Sequence, residues 1–457
     1  MESLLRTVFL DEIPPRLIER YLETSPSEMP PLAKPVGLNG NRSKVYAASL
    51  RDLGGRREEN LALYVHIPFC AVRCHFCACN TNIANNPAKI DDYLETLERE
   101  MDLAVQDLGS RRVVRQLHVG GGTPNHLSDD QLTRLMEIVD AHLCVESDAC
   151  ASFECNPRPV SLTQLELLRE LGFGRISLGI QDLTPKVQRA IGRVHSTEVI
   201  RDVFRMARQA GFASIQTDLI YGLPEQREDD LARTLEQVVS LSPDRVRCYG
   251  YAHTPSLRRH QAVIPEQALP SPAEKITLFQ RIAQELIAAG YLWIGYDCFV
   301  RPADDWYQAL RTGRLRRNSI SYTAEHTEHQ LAFGPHGLGQ VGDLLVQNEP
   351  QLPQWKLAVM AGRLPIAWGY QLSDQEYRRR RAYEQLMCNL ELPWSLAEQW
   401  GVDLAELEGI CRDGLLERRE GGIRVTPLGR LFLGRLCSLG AASLDWYSAQ
   451  WHYPVPA

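Results

Sequence analysis

Between residues 60 and 300, short β-branched runs alternate with amphipathic stretches, and nothing else in the chain limits its fold so strongly. The strand candidates are Leu63–Ile67, Val114–Val119, Ala151–Glu154, Arg175–Ile180, Ser214–Leu219 and Arg245–Tyr249. Strands separated by helix-length segments imply parallel βαβ units. Six such units predict an α/β fold built on a partial, open (β/α)6 TIM-like barrel. In barrels of this kind the reacting groups gather at the carboxyl ends of the strands. Cys70, Gly120-Gly121-Gly122, Glu154, Gln181 and Asp218 all stand at or just past such ends.

The flanks read differently. Residues 1–58, with Pro30-Pro31 and Gly54-Gly55, form an irregular N-terminal extension. Residues 59–300 are the core barrel. From 301 to 457 helical patterns take over, broken by Pro302, Pro335, Pro350 and Pro353. Within that mainly helical C-terminal domain, Ala382–Gly434 reads helix, helix, a hairpin at Glu420-Gly421-Gly422 and another helix. This order predicts a winged-helix-like module that serves as a packing cap.

Composition narrows the class. A chain of 457 residues, 44% hydrophobic and 23% charged, buries a large core in more than one domain. Its N-terminus lacks the basic and long apolar regions of a signal peptide, and no run approaches the ~18 apolar residues of a membrane span. A cytoplasmic location is expected. The net charge of −7 offers no electrostatic footprint for nucleic acid. Arg314-Leu-Arg-Arg317 and Arg378-Arg-Arg-Arg381 read as solvated helix faces.

The chemistry lies just past the first strand. Leu63-Tyr-Val-His-Ile-Pro-Phe-Cys-Ala-Val-Arg-Cys-His-Phe-Cys-Ala-Cys-Asn80 carries Cys70, Cys74 and Cys77 in a C-x3-C-x2-C spacing, with Cys79 two residues on. Twelve cysteines in the chain, four of them within ten positions, fit a reducing compartment better than disulfides. Three close thiolates suit an iron–sulfur cluster. A structural zinc site usually closes with four protein ligands, whereas three leave a position open to a small molecule.

With Phe76 before its third cysteine, the triplet resembles the signature of radical S-adenosylmethionine (SAM) enzymes. The resemblance implies a [4Fe-4S] cluster held by Cys70, Cys74 and Cys77, and reductive cleavage of SAM to a 5′-deoxyadenosyl radical. Gly120-Gly121-Gly122-Thr123-Pro124 follows a predicted strand, and missing Cβ atoms let a ligand approach the backbone. After a radical-SAM triplet, such a turn is expected to bind the SAM amino group.

Further runs are similar to the oxygen-independent coproporphyrinogen III oxidase branch. These are Leu178-Gly-Ile-Gln-Asp182, Val187-Gln-Arg-Ala-Ile-Gly-Arg193, Asp218-Leu-Ile-Tyr-Gly-Leu-Pro224, Tyr251-Ala-His-Thr-Pro255, Leu415-Leu-Glu417 and Val425-Thr-Pro-Leu-Gly-Arg430. The likeness spans about residues 60 to 440 and implies two SAM molecules. Tyr64, Gly121, Glu154 and Leu338 would contact the first. Phe76, Gly122, Thr123, Gln181, Arg193, Asp218 and Ala252 would contact the second. Cys79 matches a fourth cysteine of the decarboxylating enzymes and would donate a proton or hydrogen atom late in turnover. A reduced flavodoxin- or ferredoxin-type electron donor, a small-molecule substrate and a monomeric state are further implications.

Departures cluster on the substrate side. The Arg-Tyr-Thr-Ser-Tyr-Pro-Thr opening of the branch is missing, and Arg20-Tyr-Leu-Glu-Thr-Ser-Pro26 is its nearest stretch. Asn-Phe-Gln-Gly-Tyr-Thr-Thr becomes Asn318-Ser-Ile-Ser-Tyr-Thr-Ala324, and Met-Asp-His-Phe becomes Tyr296-Asp-Cys-Phe299. The glycine-rich run near the first SAM becomes Phe333-Gly-Pro-His-Gly-Leu-Gly339. Three readings stay open: oxidative decarboxylation of coproporphyrinogen III propionates, a methyltransferase-like paralogue acting on a quinone, tetrapyrrole or other aromatic, and a heme-binding or trafficking protein. For the first, Arg193, Arg175 and Arg301 are candidate partners of the substrate carboxylates.

Overall fold

The computed structural model describes residues 2–22, 42–56, 58–109, 112–325 and 327–439. Pro30-Pro31 and the end of the Arg20–Pro26 stretch lie outside the described residues. The six expected strands are present, parallel and adjacent in chain order: β1 Leu61–Ile67, β2 Val113–Gly121, β3 Cys144–Cys155, β4 Arg175–Gln181, β5 Ser214–Tyr221 and β6 Arg245–Gly250. β3 starts well ahead of Ala151, and its first half, partly buried and without an apolar pattern, gives no strand signal.

The strands alternate with period two, as a half-polar sheet must. Outward positions such as Leu117, Val119, Phe153, Ile176, Leu178, Ile215 and Val246 are buried in the main apolar core beneath the helices. Inward positions are polar: Gln116 and His118, Ser152 and Glu154, Arg175 and Ser177, Gln216 and Asp218, Arg245 and Arg247 line one cavity. The helices start where side chains satisfy their free amides. Asn86 caps Pro87–Leu108, and capping boxes Ser128/Gln131 and Ser271/Glu274 open Asp129–His142 and Pro272–Ala288.

Past residue 300 the structure corrects the expectation. The sheet has twelve strands, completed by β7 Leu292–Ile294, β8 Cys298–Val300, β9 His329–Phe333, β10 Leu338–Val341, β11 Leu344–Asn348 and β12 Ile366–Gln371. Its order is β12-β11-β10-β9-β1-β2-β3-β4-β5-β6-β8-β7. β9 is a seventh parallel strand, pairing with β1 on the side away from β2 (Leu63 opposite Leu331). The boundary expected at residue 300 therefore falls inside the sheet. These strands are short, and buried polar residues such as His329, Gln330 and Asn348 interrupt the apolar runs that would have marked them.

The N-terminal segment is also more regular than expected, with helices at Glu2–Leu5, Pro15–Leu22 and Arg42–Gly55. Leu4, Leu5, Ile13, Leu17 and Tyr21 share a second apolar core with the C-terminal module. In that module, Asp374–Asn389, Trp394–Trp400 and Leu404–Arg412 pack on a three-stranded sheet of Glu391–Pro393, Gly422–Val425 and Leu416–Arg419. The hairpin turns where expected, at Glu420-Gly421-Gly422, but three helices precede it rather than two. No helix among the described residues is long and apolar enough to cross a membrane.

Candidate active site

The four cysteines of the loop after β1 lie at the carboxyl mouth of the barrel. Its root is stitched to the glycine turn that ends β2: Gly122 N donates to Ile67 O at 2.7 Å and Thr123 N to Phe69 O at 2.8 Å. Cys70 Sγ is 3.3 Å from Thr123 Oγ1. A Cβ on Gly122 would lie 2.7 Å from Phe69 O and 3.1 Å from Cys70 Sγ, so no other residue fits there. Gly121 has φ +116°, a conformation glycine tolerates far better than other residues.

The tip of the loop is held from the opposite wall. His75 N donates to Ile191 O at 2.9 Å, His260 Nε2 donates to Cys77 O at 2.7 Å, and Gln261 Nε2 donates to both Phe76 O (2.9 Å) and Ala252 O (3.3 Å). Cys74 and Phe76 pack with Val187, Ile191, Leu223 and Tyr251. Cys79 Sγ is 2.9 Å from Cys77 Sγ. Burial pushes the Cys70 thiol up to about 11, and the Thr123 hydroxyl pulls it partly back.

Below the loop, Glu154 accepts from Gly121 N at 3.0 Å, and its other oxygen is 3.1 Å from His118 Nε2. His118 stacks on Tyr64 with centroids 5.8 Å apart. The Tyr64 hydroxyl is 2.8 Å from His66 Nδ1, while His66 Nε2 is 3.0 Å from Asn80 O. A carbonyl only accepts, so Nε2 of His66 carries the proton and Nδ1 accepts from Tyr64. Burial lowers the His66 pKa and keeps the ring neutral.

The second half of the expected set lines the far side. Arg193 donates to Gly179 O at 2.7 Å and has a nitrogen 4.0 Å from Cys74 Sγ. Gln181 sits at φ +68°, and its buried Oε1 has no hydrogen-bond partner. Asp218 accepts from Ser177 Oγ (2.7 Å) and Gln216 Nε2 (2.9 Å). Burial raises its pKa to about 6, against the opposing pull of Arg247. Leu338 stands apart at the start of β10, two strands from β1, where its carbonyl accepts from Gln330.

Three arginines were expected to meet substrate carboxylates, and the structure separates them. Arg301 is spent outside the site, on Ala289 O (3.1 Å) and Ser242 Oγ (2.9 Å), stacked on Tyr291. Arg175 lines the cavity but pairs with Asp305 at 2.7 Å. Sequence reading missed His118, Gln261 and Arg247. The alternation of β2 and β6 marks His118 and Arg247 as inward residues, whereas nothing in the chain ties Gln261 to a loop nearly two hundred residues away.

A [4Fe-4S] cluster with SAM fits these residues. Among the described residues no three ligating side chains converge on one metal ion, but in such a cluster each thiolate binds a different iron. Gly122 lets the turn close directly onto Cys70, and the orphaned Gln181 Oε1 supplies an acceptor for a bound organic ligand.

Comparison with known proteins gives the lineage. Residues 64–238 match the radical SAM superfamily model and residues 372–432 the HemN C-terminal domain. The chain is 38% identical to the oxygen-independent coproporphyrinogen III oxidase of Pseudomonas aeruginosa over 390 residues, covering 83% of this chain and 85% of the relative. It is 36% identical to the Escherichia coli enzyme of that name over 430 residues, 92% and 93% of the two chains. The solved structure of coproporphyrinogen III oxidase (HemN) from Escherichia coli, a radical SAM enzyme, superposes with a TM-score of 0.85, covering 95% of this chain and all of that one at 35% identity. Barrel, cysteine loop and wing therefore belong together, and the chain is a member of the oxygen-independent coproporphyrinogen III oxidase family of radical SAM enzymes.

Proposed function

We propose that the protein decarboxylates two propionate side chains of coproporphyrinogen III to vinyl groups without oxygen. The observation that carries this reading is the placement of the cysteine loop, the glycine turn and Glu154 around one barrel mouth, above a cavity lined by arginines and Asp218. Cys70, Cys74 and Cys77 hold the cluster. Tyr64, Gly121, Glu154 and Leu338 bind the first SAM, and Phe76, Gly122, Thr123, Gln181, Arg193, Asp218 and Ala252 bind the second.

When bound, the cluster and SAM supply a carbon radical able to take hydrogen from an unactivated carbon. The chain supplies position and exclusion. Glu154, fixed by Gly121 and His118, orients hydroxyl or amino donors. The Phe76 cluster keeps water from the mouth. After a β-hydrogen is removed from the propionate, CO2 departs and an external acceptor takes one electron. Cys79, beside Cys77, would donate a proton or hydrogen atom late in turnover, outside this oxidative step. A reduced flavodoxin- or ferredoxin-type protein donates electrons to a monomeric, cytoplasmic enzyme.

The altered Ser319-Ile320 pair bears on substrate choice, because Ile320 lines the cavity. Anaerobic incubation of the reconstituted protein with SAM, reductant and coproporphyrinogen III tests the proposal. Loss of two carboxyl groups, together with 5′-deoxyadenosine, is the expected result. Deoxyadenosine with an unchanged tetrapyrrole would sink it and favour a methyl-accepting substrate.

A further inference from the structure

Three arginines line the barrel cavity, and two of them make hydrogen-bonded ion pairs. Arg245 donates to Asp304 at 2.7 and 3.1 Å, pairs with Asp305, and lies 3.6 Å from the centroid of the Trp306 ring. Arg175 holds Asp305 at 2.7 Å. Arg247 is different. Its side chain is 5% exposed, yet Nε and one terminal nitrogen have no hydrogen-bond partner. The nearest paired carboxylate, Asp297, is 3.7 Å away and is shared with Arg317 at 3.6 Å. Asp218, opposite Arg247 in the strand register, already takes hydrogen bonds from Ser177 and Gln216. The guanidinium lies 4.7 Å over the Tyr249 ring, which fixes its plane.

A buried guanidinium with open donors is costly unless something accepts from it. Its fork matches a carboxylate, and the cavity it lines also holds Asp218, assigned to the second SAM, and Glu154, assigned to the first. We propose that Arg247 is the carboxylate receptor of the barrel cavity. It binds a propionate of the tetrapyrrole, or the methionine carboxylate of the second SAM. The first source rests on the oxidase reading above; the second does not.

The test uses the cluster-reconstituted, full-length protein under anaerobic conditions. Fluorescence titration compares coproporphyrin III, with four carboxylates, and mesoporphyrin IX, with two, while equilibrium dialysis counts bound SAM. If a propionate is the ligand, the wild-type preference for the tetracarboxylate shrinks roughly tenfold in Arg247→Met and partly returns in Arg247→Lys, with SAM stoichiometry unchanged. If the methionine carboxylate is the ligand, Arg247→Met loses one SAM equivalent and keeps its porphyrin preference.

Unchanged preference and unchanged SAM binding would overturn the proposal. So would an equal weakening of both porphyrins with a lowered thermal midpoint that Arg247→Lys fails to restore, since that marks a structural role. A wild-type protein that binds neither porphyrin and decarboxylates nothing defeats the oxidase reading, and the SAM count alone then decides the role of Arg247.

Discussion

Asp218 shows how one buried side chain couples stability to pH. Burial raises its pKa from 3.8 to about 6, while Arg247, Ser177 and Gln216 pull downward and Glu154 adds to the rise. An acid raised in the folded state contributes stability that is complete below about pH 3.8 and lost as pH climbs through about 6. The urea-unfolding free energy of wild type relative to Asp218→Asn should therefore fall by on the order of 3 kcal/mol between pH 4 and 7. Over the same window, ionisation makes Asp218 a full acceptor, so SAM affinity should rise with pH in wild type and stay flat in the variant. At this scale the sequence was informative where a residue closes a strand: Cys70, Gly121, Glu154, Gln181 and Asp218 all reached the mouth. It was silent on Gln261, whose place beneath the cysteine loop exists only through partners distant in the chain.

Among the elements, the junction between the barrel and its added strands turns on Glu100. This carboxylate, buried in helix Pro87–Leu108, accepts from Gly334 N (2.8 Å), Trp355 Nε1 (3.0 Å) and Asn348 Nδ2 (2.6 Å). Trp355 stacks on Tyr93, which donates to His66 O at 2.7 Å, so the same helix braces the end of β1. Glu100→Ala leaves Gly334 N and Trp355 Nε1 buried without an acceptor, while Asn348 keeps Gly334 O, and should cost about 3 kcal/mol, read from the urea midpoint. Burial lifts the Glu100 pKa from 4.5 to about 8, with the three donors opposing. Its stabilising contribution is present below about pH 4.5 and lost as pH rises through about 8. Wild type should thus lose more of its thermal midpoint between pH 6 and 9 than Glu100→Gln. The six βα units were legible because each carries an outward apolar stripe. The strands from His329 onward were not, because their burial depends on polar anchors such as Glu100 and Asn348 rather than on an apolar period.

At the level of the whole molecule, Arg430 joins three regions that the sequence keeps apart. Its guanidinium is fully buried, donates to Leu4 O (2.9 Å), Trp293 O (2.8 Å) and Gly295 O (3.4 Å), and lies 3.7 Å from the Trp293 ring centroid. Nearby, Arg20 and Tyr21 both reach Asp413 at 2.9 Å. The Thr-Pro-Leu-Gly-Arg run ending at Arg430 is therefore a fastening between N-terminal helices, wing and barrel. Arg430→Met should lower unfolding stability by about 3 kcal/mol, and limited proteolysis should then cut residues 2–22 sooner than in wild type.

The barrel itself is built around a polar axis. Its apolar faces point outward to the helices, so the free energy that holds it together is gathered in the surrounding shell and little is drawn from the centre. Side chains along the axis carry little of that apolar packing, so a change there acts first on the polarity and charge of the cavity, at a stability cost set by the hydrogen bonds and ion pairs it breaks. A lineage with such a hollow can explore new substrates one inward residue at a time while the apolar shell that holds the fold stays as it is.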